Sequence, residues 1–511
     1  MTGKPIAFID IGTNSIRLLL AQYYGNYNYR ILTQQKETTR LGEGEFGDNL
    51  LKPQAIQRAV LICKKFVELA QSQGSNEIIA VATSATRDAA NQAEFLFRLK
   101  DEAGLQVRVI SGREEARLIH LGITSGTNLG DKTGFFIDIG GGSTEVIIGT
   151  QNQHFYLDSL KLGAIRLTNL FLAEEKGPIR PNLYNLLQRQ IRHTAVRTLQ
   201  NLNHYPIHLA FGSSGTIENL AEITFRHFYK RKLQKEDLIP VDKLRETIQM
   251  LASLPLEERR KVPGINPERA DIIIGGAAIL DVFLEELNIA QFSVSDRALR
   301  DGLLIDYLSR SQPSEGNNLC KLREESVLRL AHSCGFNESH AQNVARLATQ
   351  LFDSAIAIGL FDLTKWEREL LTYAAWLHDI GAFLSYSNHH NHSFYLIRNA
   401  DLLGFDQNEI TIIALTALYH RKSLPRKKQL EFAALDKYSQ KIVVILSMLL
   451  RLAESLDRSH TGSIDRVQFQ KADSNTVLLA INNIRDCQLE LWGIQNQTVA
   501  FREIFKKKLL V

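Results

Sequence analysis

The stretch GFFIDIGGGSTEVIIG, from Gly134 to Gly149, decides how this 511-residue chain folds. Its flanks, Phe135-Phe136-Ile137 and Val146-Ile147-Ile148, are aromatic or β-branched, and between them stand an acid, three glycines and two hydroxyls. That pattern predicts a tight β-hairpin. Its turn suits phosphate. Gly140, Gly141 and Gly142 lack Cβ atoms, so they are free to take positive φ and to let an oxyanion approach the backbone amides. Ser143 and Thr144 add donors, whereas Asp138 and Glu145 repel bare phosphate and so imply a bridging divalent cation. A glycine cluster alone is a weak sign, since a hairpin under no functional constraint can carry one.

The pattern occurs twice. Ala7-Phe8-Ile9 leads into Asp10-Ile11-Gly12-Thr13-Asn14-Ser15-Ile16-Arg17 and then Leu18-Leu19-Leu20, and Asp10, Ile11, Gly12 and Ser15 match Asp138, Ile139, Gly140 and Ser143 at one fixed offset. A repeat on the scale of a domain means duplicated halves. Two such hairpins facing one another resemble the superfamily of acetate and sugar kinases, the Hsp70 ATPase domain and actin, in which each half offers a phosphate-binding turn.

The length predicts three or four domains at roughly 150 residues each. Hydrophobic content of 44% and charged content of 23% are those of an ordinary globular protein. A net charge of +4 is too small to argue for nucleic acid, although local clusters can still hold a polyanion. The chain enters its first strand almost at once, which leaves no room for a signal peptide, and the apolar run Ile442 to Leu450 is too short to span a bilayer. Cys63, Cys320, Cys334 and Cys487 form no CxxC pair and no disulfide-like spacing. A cytoplasmic protein with reduced thiols is expected.

A helical pattern runs from Pro53 to Gln73, then a buried-type strand Ile78 to Ala82 ends in Thr83-Ser84-Ala85-Thr86-Arg87, where a helix to Leu99 is expected to start. A hydroxyl-rich turn at a helix N-terminus is a second kind of anion site, to which Arg87 adds a clamp. After the strand Val107 to Ile110, Ser111 and Glu114 have capping-box spacing, which gives Glu114 a structural job and leaves Glu115 without one, projecting towards the cleft. Gly212-Ser213-Ser214-Gly215 forms a third strand-to-glycine turn, and Arg226 to Lys232 and Arg421 to Lys428 are basic clusters. Ser311 to Asn318 reads as a linker. Beyond it the periodicity is helical to about Arg458, and two strands with a basic tail follow. The expected domains are 1–130, 131–310, 319–462 and 463–511.

The motifs DIGTNSIR, TSATRDAAN, ISGREEARLI, DIGGGSTE, FGSSGTIENL and SDRALRDGLL, in this order, closely resemble the exopolyphosphatase and guanosine pentaphosphate phosphohydrolase family, strongly through residue 310 and in outline beyond it. The resemblance implies an α/β fold of two duplicated actin-like (ribonuclease H-like) domains, then an all-α HD-type domain and a small α+β module. It implies hydrolysis of the terminal phosphate of inorganic polyphosphate, or of the 5′ γ-phosphate of guanosine pentaphosphate to the tetraphosphate, with Mg²⁺. Glu115 falls on the family's water-activating glutamate, and Asp138 and Glu145 on its metal-side acids. The implied phosphate-binding residues are Asp10, Gly12, Thr13, Asn14, Ser15, Arg17, Arg87, Gly140, Gly141, Gly142, Ser143, Thr144, Gly212, Ser213, Ser214 and Gly215. In the HD-type part, His340, His378, Asp379 and Asp457 imply a second divalent metal, with His389, His390, His392 and His420 as further candidate ligands. A homodimer is implied, without nucleic acid or a membrane span. Two other readings stay open: an ATP-dependent small-molecule kinase of the same fold, and a non-catalytic polyphosphate or alarmone sensor. The carboxylates set among phosphate-binding turns speak against a pure sensor.

Overall fold

The computed structural model describes residues 3–25, 28–44, 49–127, 129–235, 237–310, 318–400, 402, 404–405, 407–426, 429–483 and 486–511. Apart from Asn318, the expected linker lies outside the described residues, as do Lys427 and Lys428 of the second basic cluster. The chain divides into two units, Met1–Leu319 and Cys320–Val511.

In the first unit, strand β1 (Lys4–Ile11) and β2 (Ser15–Gly25) form the opening hairpin, with β3 (Asn28–Thr38) antiparallel beyond. Helix α1 (Pro53–Ser72) turns Ala55, Ile56, Ala59, Val60 and Cys63 inwards, and β4 (Glu77–Ala82) and β5 (Val107–Val109) add parallel to β1, giving the order β3-β2-β1-β4-β5. The second hairpin repeats this plan. Strands β6 (Gly134–Ile139), β7 (Thr144–Gly149) and β8 (His154–Leu160) form an antiparallel meander, and β9 (Leu209–Ser213) and β11 (Gln291–Val294) follow in parallel. A short β10 (Leu238–Pro240) adds an edge, so the order is β10-β11-β9-β6-β7-β8. Without β10 the two sheets have one topology, that of duplicated actin-like halves. Asp10 pairs with Arg17 across the first hairpin and Asp138 with Glu145 across the second, so each pair projects from one face beside its turn.

The turns differ from expectation in their cause. None of Gly12, Gly140, Gly141 and Gly142 has positive φ. The glycines serve close approach instead: a Cβ on Gly141 would lie 3.0 Å from the Thr13 side chain of the opposite hairpin. The helix expected from Ser84 to Leu99 is two helices, α2 (Ser84–Asp88) and α3 (Gln92–Ala103). The break forms because the Asn91 side-chain amide pairs with the backbone N–H and C=O of Leu51 at 2.9 and 3.0 Å, standing in for a strand partner.

Helix α4 (Gly112–Thr124) comes from the first half of the sequence yet lies against β7 and β8 of the second sheet. Helices α5 (Gly215–Thr224) and α6 (Ile273–Glu286) cover that sheet, and α7 (Leu299–Arg310) crosses α4. The crossing is tight because both helices offer glycine: a Cβ on Gly302 would overlap the Leu118 carbonyl, and one on Gly122 the Ala298 carbonyl.

The second unit packs α8 (Glu338–Ala357) against α9 (Lys365–Leu377) and α12 (Lys437–Ser455), and α10 (His389–Arg398) against α11 (Gln407–Leu418). Strands β12 (Ile464–Lys471) and β13 (Thr476–Asn483) pair antiparallel, with β14 (Lys508–Leu510) parallel to β13. Cys63, Cys334 and Cys487 are buried free thiols. Among the described residues no helix is long and apolar enough to cross a membrane.

Candidate active site

A cleft lies between the two hairpins. Asp10, Thr13, Asn14, Ser15 and Arg17 wall it from one hairpin, Asp138, Gly140, Gly141 and Ser143 from the other, and Glu115, Ser214, Gly215 and Arg269 complete it. The two turns are built alike: Gly12 N–H donates to Ser15 O at 3.1 Å and Gly140 N–H to Ser143 O at 2.9 Å. Among the described residues, the amides of Thr13, Asn14, Gly141 and Gly142 donate to no backbone carbonyl, which leaves them open to an anion. The third turn is strained. Ser214 has φ 86 and ψ 162, a region nearly reserved for glycine, and its hydroxyl is locked on Ile139 O at 2.7 Å.

Other expected residues stand behind the wall. Thr144 Oγ1 donates to Leu162 O, Ser213 Oγ donates to Asp138 Oδ2 at 2.5 Å, and Gly142 O accepts from Arg166, itself paired with Asp88. Gly212 gives room for the Ile217 side chain. Arg87, expected as a phosphate clamp, makes its hydrogen bonds to protein groups. Its Nη1 donates to Ile110 O at 2.8 Å and to Glu115 Oε2 at 3.1 Å, so the guanidinium holds the glutamate. Glu114 accepts from Arg117 at 2.7 and 2.8 Å, and Arg117 also reaches Asp306 at 2.7 Å. Its structural role is thus a buried ion pair, while Ser111 Oγ caps the Glu114 amide.

Four carboxylates are buried close enough to repel one another. Burial, then the charges of Asp10 and Asp138, raise Glu115 to about 7 despite the opposing pull of Arg87. Burial raises Asp10 to about 6 and also lifts Asp138, although Ser213 opposes it. Glu145 is pushed well above the usual carboxylate range by burial and by Glu115 and Asp138, and Ser159 Oγ donates to its Oε1 at 2.7 Å. Such a group favours a divalent cation, which would relieve the repulsion. Among the described residues the cleft's acids form no three-ligand metal cluster.

Facing the acids is a group of cations that the sequence reading left unassigned, except for Arg17. Lys36 stands opposite Arg17 on β3, and partial burial followed by the charges of Arg17, Arg269 and Arg300 lowers its ammonium to about 8. Arg269 and Arg300 are shifted down by burial first and by Arg17. Arg300 Nε is buried without a partner. Arg17 and Arg269 line the cleft, and Glu218 offsets part of the positive charge that the four cations share. Gly215 leaves room for Arg269, since a Cβ there would lie 2.5 Å from its guanidinium carbon.

In the second unit the expected metal set is only partly gathered. Ligand atoms of His340, His378 and Asp379 lie within 4.8 Å of one another, as do those of Asp379, His389 and His420. Asp457 joins neither group, because Oδ2 is bonded to His340 Nδ1 at 2.8 Å and Oδ1 accepts from Gly462 N–H. His390 and His392 also stand outside both.

Comparison with known proteins gives a consistent result. A model of the Ppx/GppA phosphatase family matches residues 23–311, and one of Ppx/GppA phosphatase, domain III, matches residues 322–497. Among solved structures, the chain is similar to an exopolyphosphatase from Cytophaga hutchinsonii, with 27% identity and a TM-score of 0.57 over 60% of this chain and 99% of that one. It is also similar to the Aquifex aeolicus member of the Ppx/GppA family, with 26% identity and a TM-score of 0.51 over 61% of this chain and 99% of that one.

Proposed function

Because the chain belongs to the Ppx/GppA phosphatase family, we propose that it hydrolyses the terminal phosphate of linear inorganic polyphosphate, the 5′ γ-phosphate of guanosine pentaphosphate, or both. The observation that carries this reading is Glu115, a carboxylate with a proton affinity near neutrality that opens on a cleft between two amide-lined turns. A general base works best with its pKa near the working pH.

In this reading the open amides of Thr13, Asn14, Gly141 and Gly142 bind the equatorial oxygens of the terminal phosphate, with Ser15 and Ser143 beside them. Arg17, Lys36, Arg269 and Arg300 hold the rest of the polyanion. Glu115 Oε2 is oriented by Arg87, and the carboxylate takes the proton of the attacking water. Asp138, with Asp10 beside it and Glu145 behind, would hold Mg²⁺, which supplies charge neutralisation at phosphate oxygens when bound. Phosphoanhydride cleavage needs positioning and charge neutralisation more than covalent help.

The deciding experiment measures phosphate release from polyphosphate and from guanosine pentaphosphate side by side, with Mg²⁺ and without ADP or any acceptor. Turnover on either substrate is expected. Phosphate transfer that requires ADP or an acceptor hydroxyl would make the protein a kinase, and tight binding without turnover would make it a sensor.

A further inference from the structure

We propose that Arg166 and Asp88 are a positioning pair for the hydrolysis. They tie the glycine turn of the second half to the helix of the first half that carries Arg87, and so hold the phosphate-binding amides and Glu115 in one geometry. This rests on the hydrolase reading above.

All three carbonyls of the second turn are held from one side. Gly140 O accepts from Ala164 N–H at 3.0 Å, Gly141 O from the N–H groups of Ile165 and Arg166 at 2.9 and 3.1 Å, and Gly142 O from Arg166 Nε at 2.8 Å. In a trans peptide the C=O and the next N–H point in opposite directions. Drawing the Gly140 and Gly141 carbonyls towards the short helix Ala164–Leu167 therefore turns the amides of Gly141 and Gly142 away from it. The first turn is held in the same manner, with Thr13 O accepting from Gly42 N–H at 3.0 Å and Asn14 O from the N–H groups of Thr39 and Arg40 at 3.0 and 2.9 Å.

In each half the holding segment follows the third strand, β3 or β8, and sends an arginine across to a carboxylate of the other half. Arg40 Nη1 lies 2.8 Å from Asp271 Oδ2, and Arg166 Nη2 lies 2.8 Å from Asp88 Oδ2. The second crossing reaches further into the chemistry. Asp88 follows Arg87, which holds Glu115 Oε2 at 3.1 Å, and its charge also acts on Arg87. One guanidinium thus bonds the phosphate turn through Nε and, through Nη2, the helix that orients the base. The Arg166 and Asp88 side chains are 11% and 14% exposed, against 33% and 26% for Arg40 and Asp271, so solvent screens this pair less. Lys161 also reaches Asp88, at 3.2 Å, but it is 72% exposed and acts as a surface charge.

The test measures phosphate release by full-length wild type, Asp88→Asn, Arg166→Gln, the double variant and Lys161→Ala, and follows binding of inorganic phosphate to each by calorimetry. Asp88→Asn leaves Arg166 free to keep its bond to Gly142 O. It is expected to lower kcat by about 10- to 10²-fold, the cost of misplacing reacting groups by roughly 1 Å, with KM changed by less than about twofold. Arg166→Gln releases the turn as well, so it should lower kcat and weaken phosphate binding together. The double variant should be no worse than Arg166→Gln, because residues that act as one unit do not add. Lys161→Ala should keep kcat within about twofold. Wild-type kcat in folded Asp88→Asn, additive losses in the double variant, or an equal loss in Lys161→Ala would each overturn the pair's role. If thermal melts show that Arg166→Gln does not fold, Asp88→Asn against Lys161→Ala decides alone. No turnover by wild type would instead refute the hydrolase reading. Phosphate binding then judges the pair: weaker binding by Arg166→Gln than by Lys161→Ala upholds it, and equal binding overturns it.

Discussion

Arg87 Nη1 and Glu115 Oε2 are joined at 3.1 Å across 28 residues of sequence. The bond fixes one carboxylate oxygen at the cleft wall, and the guanidinium charge also opposes the rise in the glutamate's proton affinity. In the proposed reaction Arg87 positions Glu115, so its loss should appear in kcat more than in KM. Removing that charge moves the glutamate's pKa further up, so the acidic limb of kcat/KM in Arg87→Ala should shift to higher pH. A variant that changed KM alone, with an unmoved pH profile, would return Arg87 to the role of a phosphate clamp.

Glu115→Gln should lower kcat by about 10² to 10⁴ with little effect on KM, the range of general-base assistance. In wild type, activity should rise with pH through about 7, because Glu115 must lose its proton to act. Glu114→Gln should instead lower the thermal midpoint by several degrees, since it weakens the buried pair with Arg117, while folded enzyme keeps its kcat. Steady-state kinetics and thermal melts on the two variants separate the roles.

The clustered carboxylates give stability a pH dependence of definite sign. Asp10 and Glu115 have folded-state values near 6 and 7, above those of the unfolded chain, so the native state binds protons more tightly and loses stability as pH rises from about 4 through 7. Mg²⁺ bound among them would offset that loss. Its stabilisation, measured as a shift in the thermal midpoint, should therefore be larger at pH 8 than at pH 5.5 and should shrink in Asp138→Ala. Equal shifts at both pH values would argue against a cation in the cleft.

Arg17→Gln, Arg269→Gln and Arg300→Gln should each raise KM and flatten its dependence on salt, because each removes one cation from a group facing a polyanion. The basic cluster at Arg226 to Lys232 is expected to contribute little. Arg226 is paired with Glu222 and Arg231 with Asp237, so much of its charge is neutralised. Lys230→Ala with Lys232→Ala should change KM for long polyphosphate by less than about twofold, in keeping with solvated surface charges. A selective loss on long chains would restore the idea of a polymer track.

The sequence by itself determined the duplicated plan. Two glycine turns between apolar runs predict hairpins, and their collinear match implied that the sheets around them share one topology. It also singled out Glu115, because Ser111 and Glu114 account for the start of α4. Tertiary structure decided what side chains at long separation do. Arg87 reads as a first-turn phosphate ligand until α4 brings Glu115 within 3.1 Å of it. Lys36, Arg269 and Arg300 come from a strand, a 3-10 turn and a helix, and no local pattern announces that their charges act on one another. In the second unit, the order of His and Asp residues suggests a metal but not its ligands. Only the fold sorts them into two groups that share Asp379. Local chemistry is written in short stretches of sequence, but electrostatic fields and coordination geometry depend on distances that only the folded chain sets.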